Sequence, residues 1–535
     1  MTGMKDKAGR EKTQLIVPLI QPTVTAMRAG MSEAAAAGAD MVEARIDYLS
    51  DTSDEALRRL LTDPPRPVIV TCRSSREGGR GDVDDVARAQ VLARAARLGA
   101  TYVDFELAGM AAAGELLSAI APVDAPPDDA RARLIVSAHD FERCPADLAG
   151  IVGRMDEGPG HVNKIAFAAR GPEDGWAAFD VLRGSRKPAI ALAMGECGLA
   201  SRILAGKFGA FGTFAALAAG DESAPGQPTI AELRGLYRWD AIGPDTKVYG
   251  VVGCPVGHSM SPAIHNAAFE FAGDDAVYVP LRVEPGAQNF NRFVDATLQR
   301  LWTDLAGLSV TIPHKESALA RVGADNVDEL ARAIQAVNTI AFTGDADRPL
   351  RGINTDYAAA IDALVETMGC TREDLTGRRV AVLGAGGAAR AIVAALAYYG
   401  AEVTVYNRTV RRGERLAAEF GDAYSGSVSA EGLDALADLS AEIVINCTPL
   451  GMHPKVEGCP LSDDAKLSAD TVVFDTIYNP IQTRLLARAT AAGCKTVTGL
   501  TMFVNQAVSQ YEFWTGRTAP REVMREVVTQ RLGRR

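Results

Sequence analysis

The sequence predicts an α/β protein built in two successive parts, an N-terminal (β/α)8 barrel and a second unit that contains a doubly wound dinucleotide fold. Three observations predict it. Eight short apolar runs alternate with helix-like stretches over residues 13–237, a Gly-Pro break follows, and the region beyond it holds a strand, a glycine turn and a helix in succession. At 535 residues the chain is too long for one core. Its net charge of -11, without a long basic run, argues against a nucleic-acid partner. No window approaches the ~18 to 20 apolar residues of a membrane span, and the N-terminus, MTGMKDKAGREK, is charged and lacks a signal-type apolar segment. The expected compartment is therefore the cytoplasm, and the expected partners are small molecules. The eight cysteines are scattered without a C-x-x-C pair, and the six histidines form no Cys/His cluster, so neither a metal site nor a disulfide framework is expected.

The eight runs are LIVPLI (15–20), MVEARID (41–47), VIVTCR (68–73), YVDFEL (102–107), LIVSAHD (134–140), VNKIAFAA (162–169), AIALAMG (189–195) and FGAFGTF (208–214). Between them lie Ala/Leu/Arg-rich stretches at helical spacing, such as DDVARAQVLARAARLG, and TIAELRGLY closes the series at Tyr237. Continuous apolar strands alternating with helices imply a parallel sheet, and this number of units fits a barrel of the usual ~250 residues.

A barrel of this kind places its active site at the C-terminal ends of the strands. The polar residues fall there: Glu43, Arg45 and Asp47 on strand 2, Arg73 on strand 3, Asp104 and Glu106 on strand 4, His139 and Asp140 on strand 5. Lys164 interrupts the apolar strand 6. Alone it reads as an edge-strand lysine facing water, but a closed barrel has no edge. A lysine desolvated beside other cations becomes a nucleophile toward ketones, and a nearby histidine can move the proton of the adjacent carbon. The arginines suit an anionic substrate.

E-x-R-x-D (43–47), T-x-R-S-x-x-E-G-G (71–79), S-x-H-D-F (137–141), K-I-A (164–166), M-G-x-x-G-x-x-S-R (194–202) and S-A-P-G-Q (223–227) together resemble a type I 3-dehydroquinate dehydratase over residues 13–237. The resemblance implies that Lys164 forms an imine with the C3 ketone, and that His139 takes the C2 proton and later protonates the departing C1 hydroxyl. It further implies that Glu77 orients His139, that Arg202 holds the substrate carboxylate, and that Glu43, Arg45, Arg73, Ser223 and Gln227 contact substrate. Pro18 departs from the hydroxyl residue expected on strand 1.

The linker is placed at residues 238–246, around Gly243-Pro244. Beyond it, KVYGVVGCPVGHSMSP reads as a strand, a loop with Ser259 and Ser261, and a helix start; the hydroxyls either cap the helix or hold an anion. Further on, VAVLGAGGAARAIVAAL has the strand, glycine turn and helix of a dinucleotide site, and EVTVYN supplies the second strand. That strand ends in Asn407-Arg408-Thr409, followed by Arg411 and Arg412, where an acidic residue would hold the ribose of NAD. Positive charge without the acid favours a 2′-phosphate, hence NADP(H). Lys315 and Asp356 stand in loop-like contexts and could form a proton donor with a tuning partner.

The Ser259 and Ser261 loop, V-T-I-P-H-K (310–315), A-V-N-T (336–339), N-T-D (354–356), the Asn407-Arg408-Thr409 turn, C-T-P-L-G-M (447–452), F-D-x-x-Y-x-P (474–480) and Q-A-x-x-x-x-x-x-W-T-G (506–516) make residues 247–535 resemble shikimate dehydrogenase. This implies a substrate-binding subdomain at 247–350 and a Rossmann NADP subdomain at 351–535, whose last helices return to the substrate subdomain. Lys315 and Asp356 would be the catalytic pair. Ser259, Ser261, Thr311, Asn338 and Gln506 would hold the substrate, helped by Tyr478. The cofactor would lie on Gly384, Ala385, Gly386, Gly387, Ala388, Asn407, Arg408, Thr409, Arg412, Thr448 and Gly499. Ser309 departs from the Asn of many bacterial relatives and resembles the plant form, and Gln335 stands where Gly often precedes A-V-N.

Together the resemblances imply that the barrel makes 3-dehydroshikimate and the second part reduces it to shikimate. A second part preferring quinate, a class I aldolase barrel and a silent barrel scaffold are the competing readings. Two serines favour shikimate over quinate, the R-S-x-x-E-G-G and S-A-P-G-Q loops disfavour an aldolase, and intact Lys164, His139 and Glu77 disfavour a scaffold.

Overall fold

The computed structural model describes residues 12–80, 83–120, 132–421, 423–462 and 465–533; the charged segment that begins the chain lies outside them up to Glu11. The chain forms two compact units, one running up to Ser259 together with Asp275–Leu305, the other comprising Met260–Asp274 and the chain from Ala306 onward.

Within the first unit one sheet is built of eight strands among the described residues: β1 (Gln14–Leu19), β2 (Met41–Arg45), β3 (Val68–Thr71), β4 (Tyr102–Glu106), β5 (Arg133–Asp140), β6 (Val162–Ala168), β7 (Ala189–Met194) and β8 (Gly212–Phe214). They pair in parallel in the order β7-β6-β5-β4-β3-β2-β1-β8. Phe211 N–H reaches Ala189 O at 2.8 Å beside β8, bringing the two ends of the sheet together into a nearly closed barrel. Helices between the strands begin at polar caps: Thr23, Ser53, Asp84 and Asp147 each accept a backbone N–H of the first turn. Strand 8 is shorter than its apolar run, because Gly209 takes a left-handed φ of 69° and the chain turns there, with Ala210 N–H on Ala205 O at 3.1 Å.

Side chains alternate across the barrel wall with the two-residue period of a strand. Ile16, Met41, Ile69, Tyr102, Ile135, Val162 and Ile190 form an apolar inner cluster. The next inward residues toward the C-terminal ends, Glu43, Thr71, Asp104, Ser137 and Lys164, are polar and all buried. On the outer face Ile165, Phe167, Ala191 and Ala193 pack with Val152, Ala178 and Val181 of the helices. The apolar core thus ends where the polar layer begins, and strand register decides which residues enter that layer.

Also in the first unit, β9 (Lys247–Gly253) lies parallel to β10 (Ala276–Arg282). The helix Ala287–Leu298 packs on the barrel helix Pro172–Gly184, where fully buried Trp176 donates Nε1–H to Thr297 Oγ1 at 2.9 Å. Residues 238–246 are tied down: Lys207 Nζ donates to Pro244 O at 2.6 Å, and Thr246 Oγ1 to Asp275 Oδ1 at 2.5 Å.

In the second unit β11 (Leu305–Val310, from Ala306 onward), β12 (Thr339–Phe342) and β13 (Leu350–Ile353) form an antiparallel ladder. Six parallel strands follow, β14 (Arg379–Leu383), β15 (Glu402–Tyr406), β16 (Ser427–Glu431), β17 (Ile443–Asn446), β18 (Val472–Asp475) and β19 (Lys495–Thr498), in the order β16-β15-β14-β17-β18-β19. Strand order reverses at β14, and a doubly wound sheet binds its ligand at the carboxyl ends beside that reversal. The helix Gly499–Thr515 supplies Trp514, whose Nε1–H bonds Ile340 O at 2.9 Å, and Gln510, whose Nε2 bonds Thr339 Oγ1 at 3.1 Å.

Candidate active sites

Lys164 is 5% exposed, and its ammonium meets two carboxylates, Asp104 Oδ2 at 2.8 Å and Glu43 Oε1 at 3.0 Å, above the ring of Phe214 at 4.5 Å. Arg73 donates to Asp104 Oδ2 at 3.0 Å, Glu106 Oε1 at 3.0 Å and Ser137 Oγ at 2.7 Å. Thr71 Oγ1 donates to Glu43 and Ser137 Oγ to Asp104. Burial alone would raise the Asp104 carboxyl, but Arg73 and Lys164 outweigh it and hold it well below the usual carboxylate range. Buried charges are tolerated because each has partners.

His139 stands at the end of β5 with its ring over Phe141. Its Nδ1 lies 2.8 Å from Glu77 Oε2, which also accepts the His139 backbone N–H at 2.9 Å. An ionised Glu77 therefore requires the proton on Nδ1, leaving Nε2 as a base. Burial pushes the Glu77 carboxyl up to about 7, against the pull of Arg73. Burial, reinforced by Arg73 and Lys164, holds the His139 imidazolium well below its ordinary value, so the ring is neutral. The two glycines after Glu77 have a steric reason: a Cβ on Gly79 would lie 1.9 Å from Arg73 O, so the loop reaches this position only without one.

Arg202 is 1% exposed, its Nε is buried without a partner, and no carboxylate pairs with it among the described residues. Burial lowers its guanidinium to about 10. Such a group suits an anion brought from outside. Other expected residues are engaged locally. Arg45 folds back on Asp47 at 2.9 and 2.8 Å, and Gln227 Oε1 accepts the Ser223 N–H at 2.9 Å. Pro18 is buried in β1 in register with Glu43.

Sequence pattern alone assigned no role to Asp104 and Glu106, and it passed over Thr71 and Ser137 as partners. The signal lay in the period of YVDFE, which puts Tyr102, Asp104 and Glu106 on one face. Arg88 had no such signal, since it belongs to a helix yet is fully buried against Glu106.

In the second unit Lys315 begins the helix Lys315–Val322 and its ammonium pairs with Asp356 Oδ2, in the first turn of the helix Thr355–Met368. Backbone pairing between the two motifs fixes this meeting. Val337 N–H bonds Lys315 O at 3.0 Å, Asn338 N–H bonds Ile353 O at 3.2 Å, and Asn354 Oδ1 takes the Asp356 N–H at 3.0 Å. Asn338 is 2% exposed; its Nδ2 donates to Thr355 Oγ1 at 3.0 Å and its Oδ1 accepts the Thr355 N–H at 2.8 Å, so much of its amide is spent on the scaffold. Ser309 donates to Gln510 Oε1 at 2.8 Å. Gln335 ends a helix in the left-handed conformation, φ 58°. Thr311 is half-buried after β11, Ser261 opens the helix Ser261–Ala272, Tyr478 stacks on Phe503 and Gln506 Nε2 bonds Phe503 O at 3.0 Å. Ser259 belongs to the first unit, in the loop after β9, with its N–H on Val256 O at 3.0 Å.

The glycine turn after β14 has the shape of a phosphate cradle. Gly384 has φ 105° and lies against Thr448 and Cys447, whereas a Cβ on Gly386 or Gly387 would meet nothing within 4 Å. The helix Gly387–Tyr398 starts without a side-chain cap, leaving N–H groups of its first turn for an anion. Ala385 is half-buried and Ala388 exposed on this rim. After β15 Asn407 Nδ2 bonds Thr409 O at 2.8 Å, and Arg408, Arg411 and Arg412 are exposed and in no ion pair among the described residues. Gly499 is packed against Ile477 O, which a Cβ would strike at 2.4 Å. These residues fit a 2′-phosphorylated dinucleotide. Among the described residues no group of three or more His, Cys, Asp or Glu could hold a metal ion, and no helix is long and apolar enough to cross a membrane.

A barrel centred on a buried lysine, joined to a dinucleotide fold with a lysine–aspartate pair, defines a chain that carries two enzymes. Residues 15–244 match the family model of type I 3-dehydroquinase, 251–340 that of the shikimate dehydrogenase substrate binding domain, 368–455 that of shikimate/quinate 5-dehydrogenase and 499–529 that of the shikimate 5′-dehydrogenase C-terminal domain. Over 527 residues the chain is 38% identical to a chloroplastic bifunctional 3-dehydroquinate dehydratase/shikimate dehydrogenase of Arabidopsis thaliana, covering 96% of this chain and 84% of that one. It is 42% identical over 289 residues to the shikimate dehydrogenase (NADP(+)) of Methanosarcina acetivorans, covering 54% of this chain and 99% of the relative. A solved shikimate dehydrogenase in complex with NADP+ is 37% identical, covers 54% of this chain and 97% of its own, and superposes with a TM-score of 0.49. The chain belongs to the bifunctional 3-dehydroquinate dehydratase/shikimate dehydrogenase family; it is a lyase and an oxidoreductase.

Proposed function

We propose that Lys164 carries the dehydration of 3-dehydroquinate as an imine, and that Lys315 with Asp356 carries the NADPH-dependent reduction of 3-dehydroshikimate to shikimate. The observation that supports the first half most directly is the burial of Lys164 in the barrel interior among the paired carboxylates, with neutral His139 at the same end of the barrel. The amine of Lys164, once its proton passes to a carboxylate, adds to the C3 ketone and water leaves. The iminium withdraws electrons from C2, where His139 Nε2 takes the proton. The C1–O bond then breaks, and the proton on His139 leaves with the hydroxyl as water. Hydrolysis of the imine frees Lys164 and the new ketone. Arg202, which has no carboxylate partner among the described residues, holds the substrate carboxylate, and Glu77 keeps the His139 proton on Nδ1. Glu43, Arg45, Arg73, Ser223 and Gln227 complete the substrate contacts.

In the second reaction NADPH, when bound, would supply the hydride that reduces the C3 ketone of 3-dehydroshikimate. Gly384 to Ala388 would face the pyrophosphate, Asn407, Arg408, Thr409 and Arg412 the 2′-phosphate, and Thr448 and Gly499 the rest of the cofactor. Lys315 gives the proton that the new alkoxide needs, and Asp356 holds that ammonium in place. Ser259, Ser261, Thr311, Asn338, Tyr478 and Gln506 orient the carboxylate and hydroxyls. We also place the chain in the cytoplasm and away from nucleic acid, supported by eight free cysteines and a net charge of -11.

A coupled assay tests both halves: 3-dehydroquinate plus NADPH, read as loss of NADPH absorbance. Lys164→Ala abolishes that signal and leaves reduction of added 3-dehydroshikimate intact. Lys315→Ala blocks the reduction and leaves dehydration. Either variant at wild-type rate in its own step sinks that half of the assignment.

A further inference from the structure

We infer that Arg88, on a helix outside the barrel wall, is a positioning residue for the dehydratase, acting through Glu106 to hold Arg73 and Asp104 around Lys164; this rests on the imine reading of the barrel. Arg88 lies in the first turn of the helix Asp85–Arg97 and has no solvent exposure. It reaches the strand ends through Nη1, while Nε is buried without a hydrogen-bond partner. Nη1 donates to Glu106 Oε2 at 2.5 Å and to Cys72 O at 2.8 Å, next to Arg73, and Nη2 donates to Asp85 Oδ1 at 2.6 Å. The guanidinium also lies over the Phe105 ring at 4.8 Å.

Glu106 passes this restraint inward. Its other oxygen, Oε1, accepts from Arg73 Nη1 at 3.0 Å and from the Ser74 N–H at 3.0 Å. Arg73 then donates to Asp104 Oδ2, the atom that receives Lys164 Nζ at 2.8 Å. Charge makes the link necessary. Lys164 and Arg73 leave one of the three buried carboxylates Glu43, Asp104 and Glu106 without a cation, and Arg88 supplies it. Without Arg88, Glu106 competes with Asp104 for Arg73, and the guanidinium moves toward the wall. A displacement of ~1 Å at a reacting group is enough for about a hundredfold loss of rate.

Steady-state kinetics of the full chain on 3-dehydroquinate test this, with dehydrogenase turnover of the same preparation as the control for the second unit and the fraction of Lys164 trapped by borohydride as the control for the barrel. Arg88→Met lowers the dehydratase kcat about a hundredfold, with KM within about threefold and dehydrogenase kcat unchanged. Arg88→Met/Glu106→Gln removes the unpaired charge yet keeps an acceptor for Arg73, and it regains at least about tenfold in kcat. A merely structural loss lowers the amount of Lys164 that borohydride traps with substrate in proportion to kcat, whereas a positioning loss leaves the trapped amount unchanged. Arg88→Lys keeps the charge and the fold but not the fork, and it lowers kcat by about threefold to tenfold. A wild-type kcat in Arg88→Met or Arg88→Lys, or a double variant no faster than Arg88→Met, overturns the proposal. Borohydride trapping separates this from the underlying reading: absence of an adduct on Lys164 in the unsubstituted chain ends the imine assignment, whereas an adduct there with unaltered kcat in the variants ends only the role of Arg88.

Discussion

Lys164 Nζ and Asp104 Oδ2 stand 2.8 Å apart where Asp104 has no solvent exposure, and the same oxygen also receives Arg73. The resting lysine is therefore an ion-paired group, and the carboxylates that compensate it become a burden when it is removed. Lys164→Met destabilises the barrel by about 3–5 kcal/mol, since it leaves Glu43 and Asp104 short of a cation. Lys164→Met/Asp104→Asn recovers most of that loss. Urea unfolding at pH 8, followed by the fluorescence of Trp176 in the first unit, measures it, and equal loss in the two variants contradicts it.

Glu77 sets a pH dependence of opposite sign to that of a salt-bridged carboxylate. Its carboxyl is raised to about 7 in the folded chain, so the unfolded chain releases that proton first as pH rises. The stabilising contribution is complete below the ordinary carboxyl range and is lost as pH climbs through about 7. Glu77→Gln accordingly unfolds at higher urea than the parent at pH 8, and the gap closes by about pH 4. In kcat/KM for dehydration the parent falls as pH drops through about 7, where Glu77 gains a proton and no longer holds the Nδ1–H; the variant is slower and lacks that inflection.

Arg408 and Arg412 are exposed and uncommitted to any carboxylate among the described residues, which leaves them for a ligand phosphate. Replacing both by alanine raises KM for NADPH about 10- to 100-fold, the range of one charge-assisted hydrogen bond, with little change for NADH. Equal effects on both cofactors would move the phosphate site elsewhere.

Gln335 holds φ 58° at a helix end, a conformation a β-branched side chain resists. Gln335→Val destabilises the second unit by about 1–2 kcal/mol, and Gln335→Gly does not. Thermal unfolding of the two variants compares them. The turn thus favours a residue tolerant of positive φ, and glutamine adopts it while Asn338 still accepts the Thr355 N–H.

The candidate site residues are legible in the sequence because they sit in short local motifs at strand ends and helix starts. His139, Glu77, Lys164, Lys315 and Asp356 could each be named from a short pattern. Asp104 and Glu106 were visible as polar strand residues but not as partners, since partnership depends on the stagger between β4 and its neighbours. Arg88 was invisible, because a helix sequence does not say that an arginine is turned inward to reach a strand end. Strand 8 was overcounted because FGAFGTF hides a left-handed turn at Gly209 inside an apolar run.

The order of elements and the barrel and Rossmann classes follow from the sequence alone, because hydrophobic period and turn residues act over a few neighbours; the same motifs name the candidate reactive groups. Only the tertiary structure decided which charges compensate one another. Lys164 meets Asp104 and Glu43 across 60 and 121 residues of chain, and those distances depend on register and closure of the whole barrel. The same holds for Arg202, whose lack of a carboxylate among the described residues is a property of its surroundings, and no stretch of sequence around it states that.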